Sequence, residues 1–264
     1  MFRSPGPVAF EIGPFFGIGP LTIRWYGVLI AFAMALGLWL AYREARARGE
    51  DPEELLKTAE FALIGGLVGA RLYYVLFNLD YYLATPFKII AVWEGGLAIH
   101  GGLIGGLLAG GGYAWARRLP MARYLDIVAP SLALGQAIGR WGNFFNEEAF
   151  GRPTGLPWRL YVSPPHRPLE YQQSEFFHPT FLYESLWDLG VFAVLVLLLR
   201  RRLARASGAL FLAYLGLYSA GRIWIEGLRL DSLMLGPVRV AQLVSGLAIL
   251  VAGIGIPLLL RRQR

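Results

Sequence analysis

The sequence predicts an all-α fold: a polytopic membrane protein with about seven transmembrane helices and a small extracytoplasmic cap. Three observations lead there. First, 56% of the 264 residues are hydrophobic and only 16% are charged, whereas a soluble domain averages about a quarter charged. The mean hydropathy is +0.48. Second, seven apolar runs are long enough, or nearly so, to cross about 30 Å of hydrocarbon. They fall near 21–42, 61–79, 96–115, 124–146, 179–199, 208–227 and 237–260. Third, the connections between them alternate in positive charge, as topology signals do.

The first twenty residues, MFRSPGPVAFEIGPFFGIGP, are broken by Pro and Gly and lack a basic-then-apolar cleavable signal. They read as an ordered or partly ordered lead-in. Arg43, Arg46, Arg48 and Lys57 follow the first run, and the connection 80–95 carries only Lys88. Arg117, Arg118 and Arg123 follow the third run; Arg200, Arg201, Arg202 and Arg205 follow the fifth. A short turn with Arg229 and Asp231 joins the sixth to the seventh, and Arg261, Arg262 and Arg264 come last. Positive connections stay on the cytoplasmic side, so the N-terminus is expected outside and the C-terminus in the cytoplasm.

Residues 147–178 then face outward. Their prolines (Pro164, Pro165, Pro168) and aromatics (Trp158, Tyr161, Tyr171) read as a small cap rather than a loose loop, too short for a separate domain. The chain, 1–264, reads as a single integral membrane domain. Glycines inside the runs, among them Gly65, Gly69, Gly101 and Gly105, read as close helix packing.

Several function classes are excluded. The net charge of +7 sits in short clusters between apolar runs rather than on one stripe, so no nucleic-acid partner is expected. With no cysteine, disulfides, thiolate metal sites and a cysteine nucleophile on this chain are ruled out. His100, His166 and His178 are scattered, with no HExxH spacing, so no metal is expected. No phosphate-loop pattern and no GxSxG appear.

Polar residues gather in four places, all at expected outward ends of the runs. Arg24-Trp25-Tyr26-Gly27 reads alone as an interfacial aromatic belt with a snorkelling arginine. His100-Gly101-Gly102 opens the third run; the histidine is either structural or a proton acceptor near neutral pH. GRWGNFFNEEAFG, Gly139–Gly151, crowds ionisable groups where a membrane helix normally has none. Arg140 and Asn143 are three apart and share a helix face, a pairing suited to an oxygen-rich anion such as phosphate. The plainer reading is a helix-end salt bridge from Arg140 to Glu147 or Glu148. In the sixth run Tyr218, Arg222, Glu226 and Arg229 share one face, as a structural Arg222–Glu226 pair or as an anion site. His178, Tyr183 and Glu184 open the fifth run.

RWYG at Arg24–Gly27, HGGLIGG at His100–Gly106, GRWGNFFNEEAFG at Gly139–Gly151, HPTFLYES at His178–Ser185 and GRIWIEGLR at Gly221–Arg229 together resemble one family, the phosphatidylglycerol–prolipoprotein diacylglyceryl transferases. The third motif is similar to the family signature GRxGNFxNxE, and the likeness covers most of the chain. The resemblance implies a bacterial inner-membrane enzyme without a cofactor. It would move a diacylglyceryl group from phosphatidylglycerol to the lipobox cysteine of a preprolipoprotein, releasing glycerol 1-phosphate. It also implies functional roles for Tyr26, His100, Arg140, Asn143, Glu148, Gly151, Tyr218, Arg222 and Glu226.

Such chemistry needs a stabilised leaving phosphate, a thiolate and their alignment. Arg140 and Arg222, from different runs, suit a bidentate phosphate clamp, with Asn143, Gly151 and Tyr218 also on the lipid headgroup. Asn143 and Tyr26 can orient glycerol or phosphate oxygens, and Glu226 and Glu148 can hold the arginines or the headgroup. His100 is the expected base for the substrate thiol; a phosphate oxygen or Glu148 is the alternative. Two rival functions are a small-anion transporter, which also uses intramembrane arginines and glycine-broken helices, and a structural scaffold. The transporter lacks the expected internal repeat, and the scaffold leaves the one-sided polar clustering unexplained.

Overall fold

The computed structural model describes residues 1–13 and 20–262; part of the lead-in (14–19) and Arg264 lie outside them. The chain is mostly helical, and its principal helices are α1 (Trp25–Ala47), α2 (Pro52–Leu76), α3 (Leu79–Ala84), α4 (Ile99–Ala116), α5 (Met121–Asn146) and α6 (Thr180–Ala193). Helix α6 continues through a π-helical stretch, Val194–Leu199, into α7 (Arg200–Arg202), followed by α8 (Ala209–Glu226) and α9 (Val240–Arg261). Among the described residues four helices are long and apolar enough to cross a membrane: Trp25–Ala47, Pro52–Leu76, Thr180–Arg202 and Val240–Arg261.

Short strands depart from the purely helical expectation. β1 (Phe2–Arg3) pairs in parallel with β4 (Leu160–Tyr161), which pairs antiparallel with β5 (Phe176–Phe177); β2 (Val8–Ile12) and β3 (Leu21–Arg24) form a hairpin, as do β6 (Met234–Leu235) and β7 (Val238–Arg239). Two boundaries therefore move. Residues 21–24, read as the start of the first run, are strand, because a short apolar stretch has no period that separates strand from helix. The second helix begins at Pro52, not near 61. Asp51 caps it by accepting hydrogen bonds from the backbone N–H groups of Glu53 (2.9 Å) and Glu54 (3.2 Å), with proline at the first helical position.

The chain forms two compact units, Ala41–Tyr124 and Met1–Leu40 with Leu125–Arg264. In the first, α2 and α4 pack with almost no side chain between them. A Cβ at Gly105 would lie 2.2 Å from the Gly65 carbonyl oxygen, and one at Gly69 2.4 Å from that of Gly101. Only glycine permits that approach. The buried Arg71 on α2 spends its guanidinium on backbone: it donates to the carbonyls of Ile89 (2.8 Å), Gly95 (2.6 Å), Gly96 (3.0 Å) and Lys88. The segment between α3 and α4 is thereby tied down, and Ala98 N–H is tied to Ala70 O at 3.0 Å.

In the second unit, Asp126 near the start of α5 accepts from the backbone N–H groups of Gly208 (2.7 Å) and Phe211 (2.8 Å). A carboxylate from one helix thus satisfies the orphan donors that open another. Residues 147–178 pack around Leu160, Val162 and Phe177 with Phe144 and Phe150, so that segment has an apolar core of its own side chains and its neighbours'.

Candidate active site

Helix α6 holds the centre of the site. Its Ser185 Oγ donates to the Ala137 carbonyl of α5 at 2.8 Å and accepts from Trp141 Nε1 at 3.2 Å. Its Trp187 Nε1 donates to the Leu217 carbonyl of α8 at 2.9 Å. Trp187 can lie there because residue 221 is glycine; a Cβ would sit 2.3 Å from the indole. With α6 tied to both neighbours, Glu184 is presented to arginines from each.

Glu184, only 5% exposed, is where the charges meet. Arg140 Nε on α5 lies 2.7 Å from its Oε2, and Arg222 Nη1 on α8 donates to its Oε1 at 2.5 Å. Arg229 Nη1 donates to the same Oε1 at 3.4 Å. Arg222 Nη2 also lies 2.7 Å from Glu226 Oε2, but outside hydrogen-bonding direction. Glu226 is buried. The Arg140–Glu147 or Arg140–Glu148 helix-end bridge is not what forms; the acid partner comes from α6.

The two adjacent glutamates of the signature are sorted by the backbone. Helix α5 ends at Asn146, and Glu147 and Ala149 both take left-handed conformations, φ +51° and +57°. Non-glycine residues there carry strain of about 1–3 kcal/mol, typical of functional sites. The double reversal sends the two carboxylates apart. Glu147 accepts from Ser163 N–H at 2.9 Å and from the Ser163 hydroxyl, and lies 3.0 Å from His166 Nδ1. Glu148 turns back on α5, accepting from Asn143 Nδ2 (2.9 Å) and Asn146 Nδ2 (3.2 Å). Glu148 thus holds the asparagines, while Glu184 and Glu226 hold the arginines.

Tyr26 opens α1 with its ring over Gly142 of α5. Tyr218 lies one turn before Arg222, its ring stacked on Tyr214 at 6.1 Å, and the Tyr214 hydroxyl donates to Gln136 at 2.9 Å. Gly151 serves a close approach: its N–H donates to the His178 carbonyl at 3.0 Å, and a Cβ would sit 2.8 Å from His178 Cβ. His100 belongs to the other unit, at the start of α4, its ring 6.2 Å from that of Tyr73. Its backbone follows the segment that Arg71 pins.

Beside the cluster, Arg229 Nε and Nη2 donate to Asp231 at 2.9 and 2.7 Å. Burial pushes the Asp231 carboxyl up, but these bonds outweigh it and hold the group below its ordinary value. Its stabilising effect is therefore complete above the ordinary value of 3.8 and is lost as pH falls through the lower folded value. Thermal unfolding of wild type and Asp231→Asn should differ near neutral pH and converge in strong acid. A difference that ignores pH would remove the ion pair as its source. Burial pushes the His178 imidazole below its ordinary value, which favours the neutral ring where its Nδ1 meets Tyr183 Oη at 3.2 Å.

Fold and site together define a class: a helical protein with membrane-length apolar helices and a buried arginine–carboxylate cluster. The family model for prolipoprotein diacylglyceryl transferase matches residues 14–258. The chain is 54% identical over 260 residues to the phosphatidylglycerol–prolipoprotein diacylglyceryl transferase of Nostoc sp., covering 96% of this chain and 90% of that one. It is 53% identical over 259 residues to the enzyme of the same name from Synechococcus elongatus (97% and 88% covered). With that of Thermosynechococcus vestitus it shares 48% over 255 residues (97% and 92%). The chain belongs to the prolipoprotein diacylglyceryl transferase family.

Proposed function

We propose that this chain transfers the diacylglyceryl group of phosphatidylglycerol to the lipobox cysteine thiol of preprolipoproteins and releases glycerol 1-phosphate. The observation that carries the reading is the convergence of Arg140 and Arg222, from α5 and α8, on one buried carboxylate. Two guanidinium forks a few ångströms apart suit a phosphodiester that gains negative charge as its C–O bond breaks. Arg140 and Arg222 take the phosphate. Asn143, held by Glu148, and Tyr26 orient the headgroup oxygens. Glu226 steadies Arg222, and Tyr218 and Gly151 shape the surroundings. His100 takes the thiol proton as sulfur attacks the glyceryl carbon.

The enzyme works as a single domain in the bacterial cytoplasmic membrane. It crosses seven times, with the N-terminus outside, the C-terminus in the cytoplasm, residues 147–178 as an outward cap and the site toward the outer leaflet. Both substrates are held by the bilayer, the lipid by its tails and the preprotein by its signal helix. Family membership weighs for transfer and against a small-anion transporter. The test is direct: purified protein in phosphatidylglycerol micelles with a lipobox peptide should yield diacylglyceryl peptide and free glycerol phosphate. Anion uptake into proteoliposomes without peptide modification would establish the rival.

A further inference from the structure

The arginine cluster carries its own counter-charge. Arg140, Arg222 and Arg229 face Glu184, Glu226 and Asp231, three cations against three carboxylates. An anion seeking Arg140 and Arg222 meets guanidiniums that already have carboxylate partners, so it must displace a carboxylate or be added beside one, which is unfavourable at low dielectric. The carboxylate in its way is Glu184. It bridges Arg140 through Oε2 and Arg222 through Oε1, as two phosphate oxygens would bridge the same pair.

A second buried acid lies one turn along α6. Asp188 is 2% exposed, and its Oδ2 accepts no hydrogen bond among the described residues. Four residues along α6, it shares a helix face with Glu184. Glu226 is placed differently. It lies on Arg222's own helix and pairs with Arg222 through the nitrogen turned away from Glu184, Nη2.

Resting on the proposed transfer reaction, we infer that Glu184 is the internal counter-anion of the site: a positioning residue that aligns Arg140 and Arg222 and competes with the lipid phosphate for them. Headgroup affinity is then set by how readily Glu184 yields, and turnover by how well it has aligned the two forks.

The experiment compares wild type with Glu184→Gln in the micelle assay, using glycerol 1-phosphate as inhibitor. The glutamine variant keeps the shape and removes the charge. Its inhibition constant should fall about tenfold, the size of one charge-assisted hydrogen bond, and the KM for phosphatidylglycerol should fall with it, while kcat drops. A residue that merely braces the helices would give the opposite sign, weaker inhibition with lower kcat. An inhibition constant unchanged or raised overturns the inference. Should Glu184→Gln fail to fold, Glu184→Asp keeps the charge on a stem one carbon shorter. It should show the same sign in smaller measure, and an unchanged or raised constant there is equally decisive. Absence of transfer by the wild type would sink the reaction itself, whereas active wild type with unmoved inhibition removes only the role of Glu184.

Discussion

Arg222→Ala is expected to lower diacylglyceryl transfer by about 10²–10³-fold, the usual loss when one preorganised donor to a developing anion is removed. Arg222 reaches two carboxylates at once, Glu184 and Glu226. Its removal leaves both short of a cation, and breaking buried pairs destabilises by about 3–5 kcal/mol. The measurement therefore takes kcat/KM only after thermal unfolding in detergent has shown the variant folded. Arg140→Ala is the cleaner partner, because its described ion pair is with Glu184 alone. Arg222→Lys should recover little. A point charge cannot span Glu184 and Glu226 as a fork does. Wild-type rates in folded Arg222→Ala would end the clamp.

Gly142→Ala should cost nearly as much without touching any charged group. A Cβ there would lie 2.2 Å from Cδ2 and 2.8 Å from Cε2 of Tyr26. Neither atom is the loose end of a flexible chain, so the ring or α5 has to move. Overpacking of this kind costs about 1–3 kcal/mol, and a misplacement near 1 Å at a reacting centre can lower the rate about 10²-fold. If the loss runs through Tyr26, Gly142→Ala should add little in a Tyr26→Ala background. Full additivity of the two substitutions would show that the glycine acts by another route.

Much of this could be read from the sequence because the relevant residues are close in it. Arg140 and Asn143 share a helix face by spacing, and Arg222 and Glu226 are one turn apart and do pair. Glu184 stands within HPTFLYES, yet its partners are arginines 38 and 45 positions further on, which no local pattern connects to it. The division of labour between Glu147 and Glu148 depends on two left-handed residues that are not glycine, a conformation without a letter of its own. The role of Arg71 is illegible in the sequence for a related reason. It serves the carbonyls of Lys88, Ile89, Gly95 and Gly96, and backbone acceptors leave no mark on a sequence. The lead-in strand was hidden too, since Phe2 finds its partner at Leu160.

The Asp126 cap has a consequence for motion. From Asp126 to Arg140 is 14 positions on α5 (140 − 126), and from Gly208 to Arg222 is also 14 (222 − 208). Each is a reach of about 21 Å at the helical rise. The two helices run the same way, joined at the bottom by the carboxylate of Asp126 and at the top through Glu184. Struts of matched length fastened at both ends resist tilting, because swinging one breaks a charged joint. On the proposed reading, room for a lipid headgroup between these two helices would be made by side chains changing hands, with the girders standing still.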